Sequence, residues 1–499
     1  MRLRYSFAML AIGLSGLAQA AIDPQYQYLN ALPAAQDTLV LPLRSSDLKS
    51  GSHSLLADPQ LKQQLTAAGF TGKAGSISQL YSVAGYQRVL LLGLGDKPVI
   101  SDDKLATYGA DLAAALDKNN AQQVTIDGRY LAAIPQLVHG LELRAYRFDQ
   151  LKSKAETPRK LAVDVVVADV KSAQQQHQQL QAIADGVYLA RDLTNLPAAD
   201  LTPQTFAEAA QALEKLGVKV TVLDEKAINE LGMGALAAVG RGSDRPPTLV
   251  IAHWQGDNKA PLALIGKGIT FDTGGYNLKT DGESIVRMTS DMAGAAAVLG
   301  TVKALALQKA KVNVVGVMAM AENMISSNAY LPGDVLKTAQ GLTIQITSTD
   351  AEGRLVMADA MWYARKEYKP RAMVDIATLT GSKVGALGSY YAGLFTEDES
   401  LHSALLQAAK SSGEPLWRLP LSDEFASELK SDVADLRNTG KTTGASTAAW
   451  FLKQFAGDTP WAHVDIAGNA LASSDKGVNP VGATGFGVRL LTQWTLQQP

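Results

Sequence analysis

From residue 202 onward, short runs of aliphatic and β-branched residues alternate with longer stretches of helical period. Strands are predicted at 219–223, 248–253, 262–265, 312–318, 342–346, 373–377 and 463–466. Helices are predicted between them at 206–216, 292–308, 356–366, 399–411 and 445–455. This alternation restricts the chain to an α/β fold with a mostly parallel central sheet covered by helices on both faces. Sites in such folds lie beyond the carboxyl ends of strands. Lys267, Asp350 and Thr378 each fall just after a predicted strand.

Upstream, residues 21–170 alternate in the same way over a shorter length, with strands at 38–43, 88–92, 123–126 and 161–168 and a helix at 103–118. They are expected to form a smaller N-terminal α/β domain. Residues 171–201 carry Leu180, Ile183 and Val187 near the helical period and are expected to be a connecting helix. The larger domain then spans 202–499. The chain has 499 residues, 46% of them hydrophobic, enough to give both domains a core.

A formal net charge of −2 leaves no electrostatic footprint for nucleic acid. No basic run or cationic amphipathic helix suggests a membrane surface. Absence of cysteine removes disulfides, thiolate metal sites and cysteine nucleophiles. The N-terminus has a short basic start (M-R-L-R), an apolar run over residues 7–17 and an A-Q-A site ending at Ala20. That pattern is expected for a signal peptide, residues 1–20, and implies a periplasmic or secreted protein. No later segment is expected to reach the roughly 20 apolar residues of a membrane span.

The chemistry is concentrated in two places. One is S-T-D-A-E-G-R-L at residues 348–355, with Asp350, Glu352 and Arg354. The other is G-K-G-I-T-F-D-T-G-G at 266–275, followed by Lys279 and Asp291. Asp272, Asp291, Asp350 and Glu352 together carry four negative charges, matching two divalent cations. Carboxylates suit a pair of hard or borderline ions sharing a water. The six histidines show no H-E-x-x-H spacing. Of Lys267 and Lys279, one could be a neutral ligand and the other an oxyanion-stabilising cation, and spacing does not assign them. The L-G-L-G at 92–95 lacks the third glycine of a dinucleotide loop.

The second domain resembles the leucyl aminopeptidase family, of the cytosol aminopeptidase type. The stretches that carry this are GKGITFDTGGYNLK, SDMAGAAAVLG, AENMISSNAYLPGDV, STDAEGRLVMADAM, VDIATLTGS, ADLRNTG, PWAHVDIAG and GATGFGVRLL. They cover roughly residues 230–490; the first domain matches in outline. The resemblance implies a two-metal exopeptidase. Lys267, Asp272, Asp291, Asp350 and Glu352 would bind two divalent ions, zinc or manganese, with Asp272 and Glu352 bridging. Lys279 and Arg354 would be catalytic, the arginine holding a bicarbonate as general base. Thr378, Leu379 and Gly381 would line the substrate cleft, with Met288 and Ala467 in the pocket for the first side chain, leucine or another apolar one. The implied partners are peptide substrates and a homo-hexamer.

Three departures bear on the pocket. The Asp272–Asp291 spacing is one residue longer than the family pattern, and a loop over 280–287 is expected to absorb it. Thr280 replaces the proline after the lysine. Ala470 stands where some members carry a larger residue, which would open the pocket floor. Two other classes fit the same residues: a two-metal hydrolase of another amide or a phosphate ester, and a DNA-binding regulatory relative.

Overall fold

The computed structural model describes residues 22–35, 37–154 and 157–498. The segment expected to be a signal peptide lies outside them.

The first domain is built on six strands: β1 (Ile22–Leu29), β2 (Thr38–Arg44), β3 (Ile77–Val83), β4 (Tyr86–Gly95), β5 (Gln123–Asp127) and β6 (Arg159–Val166). They lie in the order β1-β6-β5-β2-β4-β3, parallel except for β3. β1 and β3 escape the pattern reading. β1 is the edge sequence IDPQYQYL, half polar and carrying a proline, which an edge strand tolerates.

Further strands follow: β7 (Lys219–Leu223), β8 (Thr248–Gln255), β9 (Leu262–Asp272), β10 (Asn313–Asn323), β11 (Val335–Lys337), β12 (Thr343–Gln345), β13 (Ala372–Ala377), β14 (Ala392–Phe395), β15 (Leu416–Arg418), β16 (Leu436–Arg437) and β17 (Trp461–Asp465). Eight form one sheet in the order β15-β14-β17-β13-β9-β10-β8-β7. The central four, β17-β13-β9-β10, are parallel. The flanks bring antiparallel pairs, β14 on β17 and β8 between β10 and β7. The predicted strand at 342–346 belongs elsewhere: β12 pairs with β11 and β16 in a small separate sheet.

One apolar core lies on each face of the large sheet. Helix Ala293–Leu307 sits in one and helix Gly353–Tyr368 in the other. β9 runs further than the expected 262–265. Beyond the last residue paired to β13, Gly266, it continues beside β10 alone to Asp272. Gly266 and Gly268 do not end the strand. A Cβ at Gly266 would lie 2.5 Å from Ala295 Cα, and one at Gly268 2.3 Å from Met320 Sδ. These glycines are sites of close approach within a strand.

The connecting helix runs Val170–Asn195. It crosses helix Ala293–Leu307 at a glycine pair: a Cβ on Gly186 would meet Gly300 O at 2.3 Å, and one on Gly300 would meet Gly186 O at 2.5 Å. Buried Arg191 on the same helix donates to Leu143 O of the first domain at 2.6 Å. It also donates to Thr484 O and Val478 O, at 3.0 Å each. One side chain thus ties the first domain to the C-terminal loops.

A segment long and apolar enough to cross a membrane does occur, contrary to expectation. It is Gly282–Leu307, of 26 residues, but 89% of its apolar window is buried in the fold. Its first part, expected as a loop, is the helix Gly282–Arg287, capped by Asp281, whose carboxylate accepts from Glu283 N and Ser284 N.

Replacing Gly186 with valine should destabilise the protein by about 1–3 kcal/mol through overpacking at this crossing. Gly282→Ala, where a Cβ meets nothing within 4 Å, is the control. Thermal unfolding checks this; equal melting temperatures for the two variants would contradict the tight crossing.

Candidate active site

The four carboxylates come from three places around the end of β9. Asp272 is its last residue. Asp291 closes the 3-10 turn Met288–Ser290, just before helix Ala293–Leu307. Glu352 is the N-cap of helix Gly353–Tyr368, with Asp350 two residues before it. Asp291 and Glu352 thus sit at the positive ends of two helices on opposite faces of the sheet.

Two lysines knit the carboxylates together. Lys267 Nζ lies 2.9 Å from Asp291 Oδ2, 2.9 Å from Glu352 Oε1 and 2.9 Å from Thr378 O. Its stem needs the glycine at 353, where a Cβ would lie 2.5 Å from Lys267 Cε. Lys279 Nζ lies 2.8 Å from Asp272 Oδ2 and 2.5 Å from Asp350 Oδ1. Lys267, Asp272, Asp291 and Glu352 are buried, whereas Asp350 is exposed and Lys279 half-buried, so the cluster opens on their side.

Two ammonium groups against four carboxylates leave two negative charges uncompensated. The consequence is visible in the acidities. Burial, then the charge of Glu352, pushes Asp272 up to about 6. Burial also raises Asp291 well above the carboxylate range, and Asp350 is raised by burial and by Glu352. Only Glu352 is lowered: burial opposes its charge, but Lys267 and Lys279 outweigh it. Burial likewise opposes charge on Lys267, and Asp291 and Glu352 outweigh it, so without a metal this lysine is held protonated.

These residues fit divalent cations. Oxygens of Asp272, Asp350 and Glu352 lie within 4.8 Å of one another. Glu352 Oε2 is buried with no hydrogen-bond partner in the protein. Extra positive charge at this point would offset the burial and the mutual repulsion that together raise three of the carboxylates.

Of the other predicted residues, Thr378 and Met288 touch this centre directly, and Leu379 and Ala467 are tied to Asp465. Arg354 is buried in the first turn of the helix; Nη1 donates to Asn438 O at 2.8 Å, and Nε has no partner within the protein. Burial draws its guanidinium down to about 10. Thr378 follows β13 directly, its hydroxyl donating to Asp291 Oδ1 at 2.7 Å. Leu379 and Ala467 meet on Asp465, whose Oδ1 accepts from Leu379 N at 3.2 Å and Ala467 N at 3.0 Å. Gly381 is exposed at the start of helix Gly381–Leu387. Met288 is half-buried in the 3-10 turn, its carbonyl accepting from Asp291 N at 3.3 Å.

Several supporting residues escaped sequence reasoning although their segments were singled out. Asn323, at the end of β10, donates to Asp272 Oδ1 at 2.8 Å and to Thr349 O at 2.9 Å. Asp465 also takes the Thr380 hydroxyl at 2.6 Å. Lys383 is fully buried: Nζ donates to Ala467 O at 2.8 Å, to Gly388 O at 3.0 Å and to Asn469 Oδ1. Burial pulls its ammonium down to about 8. A lysine in G-S-K gives no sequence signal that it turns inward to carbonyls.

Comparison with known proteins places this geometry. The catalytic-domain model of the cytosol aminopeptidase family matches residues 188–492, and the N-terminal-domain model of the same family matches residues 41–155. A "Probable cytosol aminopeptidase 1" of Shewanella oneidensis is 52% identical over 474 residues, 92% of this chain and 94% of the relative. A "Probable cytosol aminopeptidase" of Brucella melitensis biotype 1 is 44% identical over 451 residues, 86% of this chain and 92% of the relative. Among solved structures, a tomato leucine aminopeptidase mutant superposes with a TM-score of 0.85 at 31% identity, covering 97% of this chain and 99% of that one. The bottromycin maturation enzyme BotP in complex with Mn gives 0.82 at 32% identity, covering 93% and 99%. The relatives' names are cytosolic, which corrects the expectation of a periplasmic or secreted protein with a signal peptide. The chain belongs to the cytosol aminopeptidase family, two-metal peptidases that hydrolyse peptide bonds.

Proposed function

We propose that this aminopeptidase removes an apolar N-terminal residue, leucine among them, from peptides. The carrying observation is the buried carboxylate cluster with too little positive charge of its own. Lys267, Asp272, Asp291, Asp350 and Glu352 would hold two divalent cations, zinc or manganese. When bound, two such cations supply Lewis acidity and make a water acidic enough to ionise near neutral pH.

The protein's own groups do the rest. Lys267 would serve as a neutral ligand once the cations are bound. Lys279 would stay charged and donate to the oxyanion that develops on the scissile carbonyl. Arg354 would hold a bicarbonate, which when bound would supply a general base. Thr378 steadies Asp291 through its hydroxyl and presents its carbonyl to Lys267. Leu379 and Gly381 would line the substrate cleft, and Met288 and Ala467 the pocket for the first side chain.

The division at residues 170 and 201, and assembly as a hexamer, belong to the same proposal. Exposed Trp417, stacked edge-on against Tyr391 at 5.5 Å, is an apolar surface suited to a subunit contact.

Glu352→Ala should reduce hydrolysis of leucine p-nitroanilide more than about 100-fold. Full activity in that variant would remove the assignment. Chelation should abolish turnover, Zn²⁺ or Mn²⁺ should restore it, and N-acetylated substrate should resist the loaded enzyme; a phosphate ester cleaved in its place would favour the other hydrolase class. Lys383→Met should unfasten the Ala467 segment, raising KM about 10-fold with a much smaller change in kcat. Unchanged KM across a panel of first residues would contradict a positioning role for Lys383.

A further inference from the structure

The segment from β16 to helix Gly444–Ala456 joins two sides of the candidate site. At one end Asn438 lies against the stretch that carries Asp350 and Glu352. Its side chain accepts from Thr347 N at 2.8 Å and Ser348 N at 3.3 Å, and donates to Ser348 O at 2.6 Å. Its carbonyl takes the Arg354 guanidinium, and Thr439 Oγ1 lies 2.7 Å from Thr347 Oγ1. At the other end, a Cβ on Gly444 would lie 2.7 Å from Ser382 Oγ, beside Gly381. Residues 440–443, G-K-T-T, bridge the two ends, and Lys441 is exposed on that bridge.

One carboxylate fixes the bridge. Glu428 Oε2 accepts from Lys441 N at 2.8 Å and from Thr442 N at 2.9 Å. Glu428 Oε1 accepts from the hydroxyls of Thr442 at 2.7 Å and Thr443 at 2.9 Å. The acid that touches Lys441 is thus engaged by backbone and hydroxyl donors of the same loop. The Lys441 ammonium forms no ion pair among the described residues. Its main chain is pinned while its charge is free on a flexible four-carbon stem.

The distances suit a short peptide. An extended chain advances about 3.3–3.6 Å per residue. A dipeptide with its amino end at the carboxylate cluster would carry its own carboxylate about 7 Å further on. Lys441 stands three residues after Asn438, a span of at most about 11 Å, and its stem can cover part of that. Each residue added to the substrate moves the terminal carboxylate outward by a further ~3.5 Å, beyond the reach of a fixed cation.

We infer that Lys441 recognises the free C-terminal carboxylate of di- and tripeptides, and so biases this site toward short substrates. The inference rests on the aminopeptidase reading above and adds the substrate class. Lys441 is a specificity residue here: it touches the end of the substrate and none of the reacting atoms.

The test uses the full-length chain loaded with Mn²⁺ and three substrates: leucylglycine, leucylglycinamide and leucine p-nitroanilide. KM should be about fivefold lower for the acid than for the amide, the size of a solvent-exposed ion pair, with similar kcat. That difference should shrink in about 1 M salt. Lys441→Met should remove it, Lys441→Arg should keep it and Lys441→Glu should reverse it. Equal KM for acid and amide in the unmodified chain, with p-nitroaniline still released, would overturn the inference and leave the aminopeptidase reading standing. An acid preference that survives Lys441→Met would overturn it as well. Release from none of the three substrates would sink both readings together.

Discussion

The charge imbalance at the end of β9 is the constraint on which the rest of the catalytic half depends. Asp272, Asp291, Asp350 and Glu352 are held within reach of one another although each raises the cost of charging the next. Two unit charges about 4 Å apart repel by about 4 kcal/mol at an effective dielectric constant near 20. Lys267 and Lys279 offset part of this and no more. The fold supplies further relief by placing Asp291 and Glu352 at helix N-termini. Divalent cations bound there would supply what remains.

Such a cluster needs a rigid frame, and the large sheet gives it one. β9 and β10 outrun their neighbour β13, so Asp272 and Asn323 stand side by side beyond it. The two helices that carry Asp291 and Glu352 are locked by apolar cores on opposite faces of that sheet. On the substrate side, Asp465 and Lys383 fasten Leu379, Thr380 and Ala467 through backbone and side-chain hydrogen bonds. The carboxylate network and the Asp465–Lys383 network are separate, and they come together in the adjacent residues Thr378 and Leu379.

Much of this was legible in the sequence, for identifiable reasons. Metal ligation demands specific residue types, so the acidic clusters and the two lysines stood out against a nearly neutral chain. Long helices such as Gly353–Tyr368 declare themselves by period. What escaped was set by tertiary contact. The glycines at 266 and 268 resembled a strand end because their reason, close approach by Ala295 and Met320, is not local. β14 and β15 have four and three residues, too few to show a pattern. Asn323, Asp465 and Lys383 are ordinary polar residues until the fold turns them inward. The N-terminal A-Q-A pattern pointed to export, while the relatives carry cytosolic names.

The central claim is that cations occupy the carboxylate cluster. Crystals grown with Mn²⁺ and measured for anomalous scattering test it most directly. Two strong peaks are expected among Lys267, Asp272, Asp291, Asp350 and Glu352, with Lys279 released from Asp272 and Asp350. Anomalous density absent from this cluster, with both lysines still paired to the carboxylates, would contradict it.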